Sequence, residues 1–199
     1  MNRLLKLILP ISLLFALFNN AKAQQVTKKD YYEFYNSIIS IDSSGKDILI
    51  KEADYYNLKR LLSTDSTNIE AVLDRRIWNI HTDPIFSKED IETMKKQLLR
   101  DSNFKWSERK LKKKVRVLDA VVLVNDININ SDSGWSSFRR KYGIGFSTFS
   151  IPLFSKYKSI CVIYQSERCG SACGSGGFSI YKKQKGKWVF YRYYEMWIS

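Results

Sequence analysis

The stretch Cys169-Gly-Ser-Ala-Cys-Gly-Ser-Gly-Gly177 decides how this chain is read. Apolar and aromatic runs flank it: Ser159-Ile-Cys-Val-Ile-Tyr-Gln165 before, Phe178-Ser-Ile-Tyr181 and Lys187-Trp-Val-Phe-Tyr191 after. The order reads as strand, wide loop, strand, tight turn, strand, with the loop glycines supplying positive φ values. If the flanking strands pair, Cys161 lies eight residues from Cys169, about 26 Å along an extended strand. A disulfide needs Cα atoms within roughly 7 Å, so Cys161 is expected to stay free. Cys169 and Cys173 share the loop, and an oxidising compartment favours their pairing. So small a ring would stabilise modestly and mainly hold the loop's shape.

That compartment is argued from the opening residues. Met1-Asn-Arg-Leu-Leu-Lys6 is a positive n-region, Leu7 to Phe18 an apolar core, and Ala21-Lys-Ala23 a small-residue cleavage site. The apolar run is too short for a bilayer of roughly 30 Å. Residues 1–23 therefore read as a cleavable signal peptide, and residues 24–199 as one domain, secreted or periplasmic. No cysteine precedes Cys161, which argues against a lipid anchor, and no later apolar run reaches spanning length.

Formal net charge is +13 from 33 basic and 20 acidic residues. Removing Arg3, Lys6 and Lys22 with the signal leaves 30 against 20. Only Lys110 to Arg116 is a concentrated basic run. Nucleic acid is therefore a disfavoured partner, the scattered lysines serving solubility and strand edges. Electrostatic capture of a polyanion by Lys110–Arg116 is retained as a minor reading, with steep salt dependence.

In chain order, Thr27 to Ile41 is expected to be helical, with Tyr31, Tyr32, Tyr35, Ile38 and Ile39 on one stripe. Ile48-Leu-Ile50 suits a short strand, Tyr55, Leu58, Leu61 and Leu62 a helical face, and Ile69 to Ile80 a further helical piece. Ser87 with Asp90 forms a capping box and Phe86 with Ile91 a staple, opening a helix whose stripe is Ile91, Met94 and Leu98. Val115 to Val124 carries apolar residues on both faces and reads as an inner strand. Trp135 to Tyr142 is a short helical turn, and Phe146 to Ile151 a strand stopped by Pro152.

Several of these segments form a recurring pattern: Trp135-Ser-Ser-Phe-Arg-Arg-Lys-Tyr142, Phe149-Ser-Ile-Pro-Leu-Phe-Ser155, Cys169-Gly-Ser-Ala-Cys-Gly-Ser-Gly176, Lys185-Gly-Lys-Trp188 and Trp197-Ile-Ser199. In these the chain resembles a group of uncharacterised exported proteins common in Bacteroidetes-type bacteria, over roughly Ile85 to Ser199. Tyr157 departs from the pattern, which has an aspartate in that turn. The resemblance implies export and the same fold, and brings no activity.

Candidate chemistry is sparse. Gly170, Gly174, Gly176 and Gly177 could present an anion nest, although phosphate loops lead into a helix and this one leads into a strand. Cys169-x3-Cys173 is spaced wrongly for a redox pair, and a metal would need further ligands. Asp126-Ile-Asn-Ile-Asn-Ser-Asp132 alternates oxygens like a calcium loop but has Ser131 and Ser137 where glycine and glutamate belong. His81, the one histidine, stands near Asp83 with no nucleophile elbow beside it. No cofactor motif is present.

The expected fold is α+β. N-terminal helices pack on one face of an antiparallel meander of Val115–Val124, Phe146–Ile151, Ser159–Arg168, Phe178–Lys183 and Lys187–Ile198, cystatin-like or nuclear-transport-factor-like in outline. In the last strand simple alternation puts Trp188, Phe190, Tyr194, Met196 and Ile198 on one face, and Val189, Tyr191, Tyr193 and Trp197 on the other. One face must fill the core; the other is either covered by helices, so that both faces are buried, or open to a protein or glycan ligand, with Tyr191, Tyr193, Trp197, Gly174 and Gly176 as its binding residues. The leading expectation is a non-catalytic extracytoplasmic binding domain. The rival is a hydrolase of an extracellular polymer using His81 with Asp83, Glu89 or Asp126.

Overall fold

The computed structural model describes residues 25–38, 48–63, 80, 83–112 and 115–199. The segment read as a signal peptide, His81 and nearly all of the helical piece expected over 69–80 lie outside them. The elements are α1 Lys28–Ile38, β1 Ile48–Ile50, α2 Tyr55–Leu62, α3 Lys88–Arg100, β2 Arg116–Leu118, α4 Asp132–Tyr142, β3 Phe146–Phe149, β4 Leu153–Phe154, β5 Ile160–Gly170, β6 Cys173–Gln184 and β7 Lys187–Ile198. The class is α+β, with helices mainly in the N-terminal half and long strands at the C-terminus.

The sheet has seven strands in the order β2-β1-β3-β5-β6-β7, with β4 also paired to β5. It is mostly antiparallel, but β1 runs parallel to both β2 and β3. This corrects the all-antiparallel expectation. Three consecutive buried residues, Ile48, Leu49 and Ile50, are the signature of a strand covered on both faces.

The expected inner strand over Val115–Val124 is also corrected. Its strand is only Arg116–Leu118, at the sheet edge, because β1 is three residues long and offers no further partners. At Asp119 the chain leaves the sheet: Lys51 pairs with Asp119 at 3.0 Å, and Glu52 accepts the Ala120 N–H at 2.9 Å. A π-helical turn, Val122–Ile127, follows and ends at Asn128 with φ 54°. Val121 and Val124 are left exposed.

Helices cover both faces, not one. β5 and β6 pair without a slip from Ile160↔Lys182 to Arg168↔Gly174, so Tyr181 and Ser179 face one way and Phe178 and Ile180 the other. On the Tyr181 side lies α1, its Phe34 ring 5.2 Å from Tyr181 and 5.3 Å from Trp188. On the Phe178 side lies α2, its Arg60 guanidinium 5.9 Å from the Phe178 ring. Tyr31, Phe34 and Tyr35 are buried, and each such aromatic is worth about 1.5–3 kcal/mol. A second, smaller core joins Ile48, Ile50, Leu118 and Phe146 to Trp135 and Phe138 of α4.

Helix ends follow local chemistry. Both halves of the Ser87–Asp90 capping box are present, and Phe86 and Ile91 are buried beside it. α4 begins three residues earlier than its aromatic pattern suggests, because Ser131 accepts the Gly134 N–H and caps it.

Candidate binding face

The last hairpin is where the structure departs most from simple alternation. β5 runs to Gly170 and β6 begins at Cys173, so no wide loop exists. Gly174 and Gly176 are strand residues paired with Arg168 and Ser166. Among the described residues, positive-φ glycines occur only at Gly143 and Gly186, so the loop conformations expected of Gly170, Gly174, Gly176 and Gly177 are corrected. Gly176 is needed for close approach instead. A Cβ there would stand 2.8 Å from the Trp197 indole and 2.8 Å from Ser166 Cβ. The indole covers the bare backbone of the two glycines, and its Nε1 donates to the Tyr164 hydroxyl at 3.0 Å. With its amide paired to the Ser199 carbonyl at 3.2 Å, Gly174 contributes to a ladder rather than to an anion nest.

Cys169 and Cys173 are disulfide-bonded across the tip, Cα atoms 5.1 Å apart, and Cys161 is a free, buried thiol. Burial alone pushes the Cys161 thiol well above its ordinary value. Arg139 Nη1 donates to the Cys169 carbonyl at 3.3 Å and Ser171 Oγ to Asp132 at 2.8 Å, tying the tip to α4.

β7 is the sheet edge and carries two bulges. Ile180 pairs with Arg192 but Tyr181 with Phe190, leaving Tyr191 as an extra residue. Phe178 pairs with Tyr194 but Gly176 with Trp197, so Glu195 and Met196 together oppose Gly177, and Glu195 takes φ 46°. Each bulge shifts the period-2 pattern by one residue. Trp188, Phe190, Tyr193 and Met196 therefore share one side, and Val189, Tyr194 and Trp197 the other. The expected grouping of Tyr191, Tyr193 and Trp197 is corrected on this point. Tyr191 is half exposed, with Lys182 Nζ 3.6 Å from its ring centroid.

On the Tyr193 side coverage fades along the strand. Trp188 is packed under α1, against Phe34 and Phe154. Beyond it Phe190 is 42% and Tyr193 50% exposed, their rings 4.3 Å apart, with Tyr181 5.8 Å from Phe190. Burial, with the neighbouring Tyr193 adding to it, holds the Tyr181 phenol up to about 12. Next to Tyr193 is a depression of about 180 Å³ lined by Phe149, Gln165, Glu167, Ser179, Tyr193 and Met196 among others, with Gly177 in its floor. Ser179 is fully buried, and its Oγ has no hydrogen-bond partner among the described residues.

On the opposite side of β7 a polar network covers the stretch from Arg192 to Glu195. Asp83, 6% exposed, pairs with Arg192 and accepts the Tyr194 hydroxyl at 2.9 Å and the Ile85 N–H at 3.0 Å. Arg60 of α2 pairs with Glu195. This network clamps the 83–86 turn and α2 onto the bulged edge.

Comparison with protein-family models, with curated proteins and with solved structures returns no match to this chain.

The structure thus divides the residues expected on one binding face, leaving Tyr193 and Trp197 on opposite sides of β7. His81 lies outside the described residues. Asp83 is an ion-pair anchor, and Glu89 pairs with Lys156 at 2.7 Å. In the stretch read as a calcium loop, Asn128 closes the π-helical turn, Ser131 caps α4 and Asp132 holds Ser171. Near the basic run, Asn36 of α1 accepts the Lys112 N–H at 2.9 Å and donates to the Lys110 carbonyl at 3.2 Å. Tyr193 remains on the open face. Phe190, Met196, Gln165, Glu167 and Ser179 join it without having been singled out. Phe190 and Met196 carried the right composition, but their face depends on bulges that composition does not report. Chemically, the depression offers one carboxylate, an amide and hydroxyls beside an aromatic plane. That set suits recognition; the two-carboxylate arrangement of glycoside hydrolysis is not assembled from its described lining.

Proposed function

We propose that this chain is an exported, non-catalytic binding domain that takes its ligand on the open side of β7. One observation carries the reading: Phe190 and Tyr193 are packed on each other yet left 42% and 50% exposed, beside a depression lined by the buried Ser179 hydroxyl, which has no hydrogen-bond partner among the described residues. Aromatic area that the core has no use for is a feature of interaction surfaces. Export is supported by the n-region, apolar core and Ala21-Lys-Ala23 of the opening residues, and by the disulfide geometry of Cys169 and Cys173.

The test uses the pure protein against arrays of oligosaccharides and of peptides. Phe190→Ala with Tyr193→Ala should lose capture by at least tenfold while circular dichroism and Tm stay near those of the parent. A folded double variant that binds as well as the parent rejects the reading. For export, N-terminal sequencing of protein secreted by an expressing cell should begin at Gln24.

A further inference from the structure

We infer that the depression beside Tyr193 is a subsite for one neutral pyranose ring, stacked on Tyr193 and held by hydroxyl contacts to Ser179, Gln165 and Glu167. The inference rests on the open side of β7 being the ligand face, and names the ligand class.

Four observations converge. A buried hydroxyl with no partner is costly, and Ser179 Oγ is one; as the cross-strand partner of Tyr193 it lies on the same side of the sheet. The Oγ is shut off from solvent in the free protein, so a ligand hydroxyl recovers the lost hydrogen bond by drawing the side chain round into the depression. Second, the lining combines a flat, half-exposed ring with an amide and a carboxylate. A pyranose presents a matching pair of surfaces: C–H groups on one face, and hydroxyls at the rim that donate to a carboxylate and accept from an amide.

Third, charge selects against anions. Glu167 lines the depression, and no Lys, Arg or His stands among its described lining residues, so a phosphate or uronate would meet repulsion without compensation. Fourth, the floor excludes an extended peptide. Gln165 pairs with Gly177 and Ser179 with both Ile163 and Tyr193, so these backbone groups are spent on their own ladder and cannot take an added strand, Gly177 alone facing the β7 bulge on its other side instead of a paired residue. A purely aliphatic ligand would leave Ser179 and Glu167 unpaired.

The full chain is titrated by calorimetry and by amide chemical shifts with neutral oligosaccharides: glucans, galactans, mannans and N-acetylglucosamine oligomers. At least one should bind, with shift changes centred on Gln165, Glu167, Ser179 and Tyr193. Tyr193→Ala should weaken it by about tenfold and Ser179→Ala by roughly fivefold, the worth of one hydrogen bond. Ser179→Ala also has a readout apart from binding. Because its Oγ makes no hydrogen bond among the described residues, the sugar-free Tm should hold or rise.

Binding of a neutral sugar that Ser179→Ala and Tyr193→Ala leave unchanged overturns the subsite. So does an ordered water as the only occupant, with no sugar bound at millimolar concentration. If no neutral sugar binds but a peptide is captured through Phe190 and Tyr193, the sugar assignment fails and the binding-domain reading stands. If neither class binds, both fail.

Discussion

The side-chain amide of Gln97 takes the place of a neighbouring strand beside Phe154: its Nε2 donates to the Phe154 carbonyl at 2.6 Å, and its Oε1 accepts the Phe154 N–H at 3.1 Å. Gln97 is 3% exposed and Phe154 1%. A helix cannot pair with a strand edge through its own backbone, whose groups are spent along the helix axis. The primary amide supplies one donor and one acceptor with peptide spacing, and so docks α3 against the free side of the two-residue strand β4.

Replacing Gln97 by Met keeps the volume but strands both Phe154 backbone groups in the core. The loss should be about 2–4 kcal/mol, read as a shift in urea midpoint at unchanged m-value. A loss under about 0.5 kcal/mol would mean that water reaches this edge.

Gly176→Ala pushes a methyl into the Trp197 indole. Overpacking of this kind costs about 1–3 kcal/mol. The same change made in a Trp197→Ala background should cost less, since the indole is gone and only Ser166 Cβ remains in the way. Equal costs in the two backgrounds would show that the glycine serves something other than the indole.

Intact-mass and peptide mapping of the oxidised protein should find Cys169 linked to Cys173, and Cys161 free. Cys161 should resist thiol reagents in the native state and react on unfolding, because burial raises its pKa and denies access. Replacing both tip cysteines by serine should cost about 2 kcal/mol in the chain-entropy account for so short a ring. A Cys161 that reacts as fast as a model thiol would contradict its place inside β5.

Asp30 ties the start of α1 to the turn before β5 through Lys158 at 2.9 Å. Burial acts to raise its pKa, but hydrogen bonds from Lys158 and from the Thr27 N–H and hydroxyl outweigh it, and the net direction is down. A lowered folded pKa means that the stabilisation is complete above the unfolded carboxyl's value, near 3.9, and disappears as pH falls through the folded one. Below about pH 4, therefore, Asp30→Asn should show a shallower acid loss of stability than the parent, from a lower plateau at neutral pH. Parallel acid limbs in the two proteins would remove the group from the account.

Local chemistry was legible wherever a pattern spans a few residues and needs no partner. The Ser87–Asp90 box, the aromatic stripe of α1, the pairing of Cys169 with Cys173 and the isolation of Cys161 all follow from spacing, and so does the α+β class. The face carrying Tyr193 was half legible. Its aromatic excess is visible in the sequence, but the membership of that face is not.

What tertiary structure alone decided follows from contacts between distant segments. A period of two cannot report an inserted residue, so the bulges at Tyr191 and Glu195 reassign Phe190 and Met196 to the side of Tyr193 and Trp197 to the other. Glycines read as turn formers proved to be room for an indole, because an indole's position depends on where the strand returns rather than on the glycine's own φ. The parallel strand β1, three residues long, is too short for its periodicity to mark a direction. Sequence determines which surfaces want burial; only the folded chain determines which of them find cover, and here Phe190 and Tyr193 do not.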